Sequence, residues 1–224
     1  MATTIIAGNA TNGLALTPDN TGILELKTGT GAGTTALTLN ASQNATLAGT
    51  LTVGSTLQVA GVTTNMYPLV SGTAVTASGT SVDFTSIPNW VRRITVMLSG
   101  VSTNGTSILL IQLGDSGGVE TTGYSGSTQY AASYVAFSSY AGIPIDTAST
   151  VAAGTARSGV LTLSLLDTTT NTWAINGGFA IGTAAALILP AGIKATSATL
   201  DRVRITTVNG TDTFDAGTIN IMWE

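Results

Sequence analysis

A serine set among glycines beside an acid, Gly114-Asp115-Ser116-Gly117-Gly118, is the first place to look for a reactive group in this sequence. A serine hydroxyl is a weak nucleophile until a neighbouring base takes its proton, and that base is usually histidine. The chain has no His, and its two lysines, Lys27 and Lys194, stand in no recognisable pairing with a serine. The pentapeptide therefore reads as a turn, because Asp and Ser initiate turns and glycine accepts positive φ. Without His or Cys, a metal could be held by oxygen alone, which restricts the choice to Ca²⁺ or Mg²⁺. Asp212-Thr-Phe-Asp215, next to Asn209-Gly210, and Asp167 with Asn171 offer few carboxylates for that and read as solvated turns. Glycoside hydrolysis needs two facing carboxylates. Asp115, Glu120, Asp146, Asp201, Asp212 and Asp215 are present, but no spacing singles out a pair. No catalytic residue, metal ligand or cofactor is assigned.

A binding surface is the better reading of the polar chemistry. The segment from Tyr124 to Tyr140 holds four of the five tyrosines, with Ser, Thr, Gln and Gly between them. Aromatic faces stack on sugar rings while small polar side chains reach hydroxyls, and the same mixture suits protein contacts. Tyr124, Tyr130, Tyr134 and Tyr140 are the expected contact residues for a glycan or a protein. The competing reading is an aromatic-rich strand that is simply packed.

The elements that would carry such a surface follow from composition and spacing. Charged residues make up only 8% of the 224 residues, against about 25% in an ordinary soluble domain. So uncharged a surface suits a chain covered by copies of itself or by neighbours. Thr accounts for about a fifth of the chain, and it favours strands. The net charge of −4 and the lack of any basic run beyond Arg92-Arg93 exclude an electrostatic footprint for nucleic acid or an anionic membrane. No apolar run reaches the length of a membrane span. The start, Met1-Ala2-Thr3-Thr4, lacks a basic region followed by an apolar one, so no secretory signal is expected.

Residues 1–66 contain no aromatic residue and only Asp19, Glu25 and Lys27 as charges. A six-residue repeat runs through Ala45–Thr50, Leu51–Thr56 and Leu57–Val62, with Leu47, Val53 and Val59 in equivalent places. Short alternating strands at that spacing predict a β-solenoid or β-prism. Each repeat has only two inward residues, so three chains wound about one axis would bury Leu47, Val53 and Val59 against their mates. Without such burial the segment is a Thr/Gly-rich linker. Residues 67–224 carry period-two patterns at 81–84, 93–101, 107–113, 158–166, 172–181, 200–208 and 218–223. Asn104-Gly105 and Asn209-Gly210 are hairpin signals. The expected fold is all-β: a short N-terminal shaft, then an antiparallel, jelly-roll-like β-sandwich knob.

Three stretches resemble bacteriophage fibre proteins: the shaft-like run from Asn40 to Val53, the segment Trp90-Val-Arg-Arg-Ile-Thr-Val-Met-Leu-Ser-Gly-Val101, and the tail from Leu200 to Glu224. The resemblance implies a homotrimeric virion component with a slender N-terminal part and a C-terminal β knob, and it brings no catalytic residues. The expected partners are further copies of the chain, other virion proteins through the N-terminal region, and a host surface glycan or protein through the knob. Capsid decoration is the alternative, and a polysaccharide depolymerase is the more distant one.

Overall fold

The computed structural model describes residues 24–28, 34–39, 42, 44–50, 57–59, 62–64, 67–130, 133–147, 152–182 and 186–224. The chain divides into two compact units, Met1–Met66 and Tyr67–Glu224.

In the first unit, β1 (Leu24–Thr28), β2 (Thr34–Leu39) and β3 (Ala45–Leu47) form an antiparallel sheet in that order. β4 (Leu57–Val59) and β5 (Val62–Thr64) form a separate antiparallel pair. Leu26 pairs with Leu37, and Leu37 with Leu47, so one apolar row crosses three strands. That row is not closed over: Leu26 is 45% exposed and Leu47 43%. Of the expected shaft positions, Leu47 ends β3 and Val59 ends β4 as the register partner of Val62, while Val53 lies outside the described residues.

The second unit contains β6 (Val70–Ser71), β7 (Val75–Thr76), β8 (Ser81–Phe84), β9 (Arg93–Thr103), β10 (Leu109–Asp115), β11 (Gly118–Val119) and β12 (Tyr124–Tyr130). These are followed by β13 (Ser133–Ala136), β14 (Ile143–Pro144), β15 (Arg157–Asp167), β16 (Thr172–Ile181), β17 (Ala186–Ala195), β18 (Arg202–Thr207) and β19 (Phe214–Trp223). A large antiparallel sheet runs β13-β12-β17-β16-β15-β9-β19-β6, with β7 also on β19. A smaller one runs β11-β10-β18-β8, with β14 also on β10. Neither closes into a barrel. Both line one core: Ile94, Val96, Leu161, Leu163, Ile175 and Ile221 come from the large sheet, and Leu109, Ile111, Leu113, Val203 and Ile205 from the small one. Period-two alternation selects these residues, since successive side chains of a strand point to opposite faces. β10 is buried at all seven positions, as its apolar run on both faces requires.

Two expectations are corrected. Asn104-Gly105 and Asn209-Gly210 do not close hairpins. Each lies where the chain passes between sheets, from β9 to β10 and from β18 to β19. The two corners are fastened to each other. The Asp212 carboxylate accepts the Ser107 N–H at 2.9 Å, and Asn104 Oδ1 accepts the Thr213 N–H at 2.9 Å. β17 carries no period-two signal strong enough to announce it, because Pro190 and Gly192 interrupt it, yet it lies inside the large sheet. Pro190 has no N–H to give, and the ladder to β16 skips it, resuming at Asn176↔Ala191 and Phe179↔Ile188. Gly192 pairs with Gly126 of β12, and a Cβ at either position would first strike the backbone of the opposing strand, at the Ser125 or Ala191 carbonyl oxygen, and would also crowd the ring of Phe137.

A fully buried ion pair joins the sheets. Arg157, at the start of β15, places its Nε 3.0 Å from Asp146 Oδ1, and both side chains are 0% exposed. Asp146 Oδ2 accepts the Leu109 N–H of β10 at 3.1 Å, and an Arg157 Nη1 proton goes to the Thr155 carbonyl. Burial pushes the Asp146 carboxyl up, while Arg157 and the Leu109 N–H oppose that rise. Asp146→Ala would leave the guanidinium buried without its counter-charge, and we expect a loss of about 3–5 kcal/mol in urea unfolding free energy. The double variant Asp146→Leu/Arg157→Met should recover most of it. A single-variant loss below about 1 kcal/mol would mean that the pair is hydrated and contributes no more than a surface pair.

Candidate functional site

The Gly114–Gly118 pentapeptide closes the β10–β11 hairpin. Asp115 pairs with Gly118, and Asp115 Oδ1 accepts the Gly117 N–H at 2.8 Å. Ser116 stands exposed at the tip. The residue facing Asp115 is instead Ser197, whose hydroxyl donates to Asp115 Oδ2 at 2.6 Å. The Ser197 N–H donates to Glu120 Oε1 at 2.6 Å, and Glu120 Oε2 pairs with Lys194 Nζ. Lys194 is buried, also donates to the Ala195 carbonyl, and lies 5.4 Å from the ring centroid of Tyr124. The cluster thus ties the β10–β11 hairpin to the end of β17 and the segment after it.

The electrostatics of this cluster are those of a clamp. The Ser197 hydroxyl and then the Gly117 N–H hold Asp115 below the usual Asp range. Burial raises Glu120, but Lys194 and Ser197 together bring it below the usual Glu range. A carboxylate held this low is a poor proton acceptor for a serine hydroxyl. The cluster's position was missed in the sequence, but a signal existed. Lys194 has the same parity along its strand as the buried Ile188, just as Arg157 shares parity with Leu161 and Leu163.

Among the tyrosines with described side chains, Tyr124 does not share a surface with Tyr130 and Tyr140. Tyr124 is 3% exposed. Its hydroxyl accepts the Leu113 N–H at 2.8 Å and donates to the Glu120 carbonyl at 2.9 Å. Burial pushes the phenol well above its ordinary pKa. The expectation of a ring face open to a ligand is therefore corrected for Tyr124, which is packed because its hydroxyl finds two backbone partners inside. Tyr130 ends the same strand, half-buried, in register with the buried Ile188 and with Ser133. Tyr134 is the register partner of Gln129. Tyr140, half-buried, follows the short 3-10 turn Phe137–Ser139 and donates its N–H to the Phe137 carbonyl.

The acidic turns are filled from within. Asp212 accepts from Ser107 and from Asn209 Nδ2 at 2.7 Å, which lowers its pKa, and Asp215 pairs with the Ser102 hydroxyl. Among the described residues, no three acidic groups gather as a cation site would require. An open groove of about 340 Å³ lies on the small sheet, lined by Ser81, Gln112, Arg204, Thr206 and Asn209 among others. Arg204 is held there by Asp83 at 2.6 and 2.8 Å, so the groove presents hydroxyls and amides beside a neutralised ion pair. Comparison with family models, with curated proteins and with solved structures finds no match.

Asp115, Glu120, Asp167 and Asp212 all have lowered pKa values. Their contribution to stability is present above the unfolded pKa values and is lost as pH falls through the folded ones. Unfolding midpoints should fall below about pH 4, given unperturbed values of about 3.9 for Asp and 4.3 for Glu. With no His, these groups add no slope between about pH 5.5 and 8. The raised Asp146 works with the opposite sign: its share of the stability is lost as pH rises above the unfolded Asp value, and that share should vanish in Asp146→Asn. Urea midpoints across pH check both statements. Glu120→Gln should shrink the acid limb, and an unchanged limb would remove Glu120 from the account.

Proposed function

We propose that this chain is a non-catalytic structural protein of a virus particle: a bacteriophage fibre or appendage subunit acting as a homotrimer. The first unit would form a shaft or attachment region and the second a jelly-roll-like knob that contacts the host surface. The observation that carries this reading is the open apolar row Leu26–Leu37–Leu47, which a single copy leaves in water. Three copies about one axis would cover it, and a chain with 8% charged residues is suited to such company. The hydroxyl- and amide-lined groove and the half-buried Tyr130 and Tyr140 are where the knob would meet a host glycan or protein.

Antibody labelling of particles under the electron microscope tests the assignment. Label on a fibre supports it, label across the shell favours capsid decoration, and unlabelled particles overturn it. Solution mass should be three times the 22.4 kDa of one chain, and a monodisperse monomer at micromolar concentration would remove the shaft. Leu47→Asp should lower the temperature at which the trimer dissociates while leaving the second unit folded, because like charges would meet at the axis. Reducing ends released from host capsule by the purified protein would replace this reading with a depolymerase.

A further inference from the structure

Between the strand ends, the outward face of the large sheet bears no ionisable side chain across six adjacent strands, β12-β17-β16-β15-β9-β19. Arg93, paired with Glu224, and the carboxylates of Asp167 and Asp215 stand only at the ends of β9, β15 and β19. Gln129 and Leu189 are register partners on β12 and β17, and Gly178, Val160, Met97 and Asn220 are partners in turn on β16, β15, β9 and β19. The Leu189 side chain reaches over Gly178 where the ladder between the two sets is interrupted. Leu187 and Leu189 both reach toward Gly178, within 3.8 Å of where its Cβ would sit. With Val160 they make a continuous apolar ridge: Leu187 is 55% exposed, Leu189 47% and Val160 46%, with Ile193 also open at 47%. Two further charges of these same strands, Arg157 and Lys194, are turned the other way, into the interior. Asp83, Asp201, Arg202 and Arg204 lie on or beside the small sheet.

We infer that this face is where the second units of neighbouring copies meet. The charge pattern argues for the occupant. A nucleic acid, an anionic membrane or an ordinary charged protein surface would bury its own charges here against nothing that compensates them. A second copy of the same face brings none to the middle of the contact. Its size also fits. Six strands at ~4.8 Å spacing and about eight residues at ~3.3 Å give on the order of 700 Å², close to the ~800 Å² per partner of a stable interface. About a three-fold axis the three neutral faces would turn inward, each covered by the other two. This rests on the multi-copy part of the reading above and moves a share of assembly from the shaft to the knob.

The chain has no Cys, so one engineered thiol is unique. In full-length protein, Ala191→Cys on this face should react with a maleimide at least about tenfold more slowly than Thr211→Cys in an exposed turn. Adding Val160→Lys and Leu189→Lys should bring the two rates together and raise the dissociation constant by about 100-fold, the effect of charge placed in an uncharged contact. Both side chains are already half in water, so the urea midpoint of the second unit should not move. Fast labelling of the Ala191→Cys variant in an assembled protein overturns the inference and leaves the multi-copy reading standing. Slow labelling in a monomer also overturns it, because the chain's own first unit would then be the cover. A monomer that labels fast overturns both. The Ala191→Cys rate is read without the lysines, so a misfolded lysine variant does not blunt the test.

Discussion

The second unit depends on one desolvated interaction, the pairing of Arg157 with Asp146. The guanidinium enters from a strand of the large sheet, and the carboxylate also holds a backbone N–H of the small sheet. Neither charge can turn to water without opening the space between the sheets. Apolar side chains favour closeness but tolerate sliding, whereas an ion pair in low dielectric fixes direction. The relative placement of β10 and β15 is thereby specified more sharply than Leu109 and Leu161 could specify it alone. A pair of this kind is weak evidence for stability and better evidence for a unique arrangement.

The remaining polar groups follow the same logic at lower cost. The Asp115–Ser197–Glu120–Lys194 cluster locks one end of the unit, and the Asn104, Ser107, Asn209 and Asp212 network locks the two passages between sheets. Most of the charge in the second unit is engaged in these internal contacts or lies on the small sheet. The middle of the large sheet's outward face is left neutral as a result.

Strands with clean alternation were legible in the sequence. Ser81–Phe84 and Thr172–Ile181 coincide with their expected spans, and alternation correctly places Ile94, Val96 and Leu98, and Val203 and Ile205, inside. Of Ile219, Ile221 and Trp223, which it puts on one face, the first two are buried and Trp223 is half-buried. What was not legible depended on partners far along the chain. β17 contains Pro190 and Gly192, which oppose a strand locally; the skipped ladder position accommodates the first, and the close backbone approach of β12 together with the Phe137 ring requires the second. The Asn-Gly turns carry no information about whether the next strand pairs with the last or crosses to another sheet. The tyrosine segment is dense in the right residue types, but its first member sends its hydroxyl to backbone groups of another strand and sinks into the core. Composition could not distinguish that from exposure.

The two Asn-Gly corners also bear on chemical ageing. In that dipeptide the glycine offers little hindrance, so the following backbone nitrogen can attack the asparagine side-chain carbonyl and expel ammonia, and water then opens the resulting cyclic imide to an acid. At Asn209 the amide oxygen accepts the N–H groups of Thr211 and Asp212, and the amide nitrogen donates to the Asp212 carboxylate. Converting that amide to an acid would set two carboxylates against each other and remove the donor that steadies Asp212, which in turn holds Ser107 across the corner. The network that shapes the crossing therefore also fixes the side chain that such decay must reorient. In a protein that is not renewed after it is made, the lifetime of that one amide sets how long the passage between the sheets keeps its form.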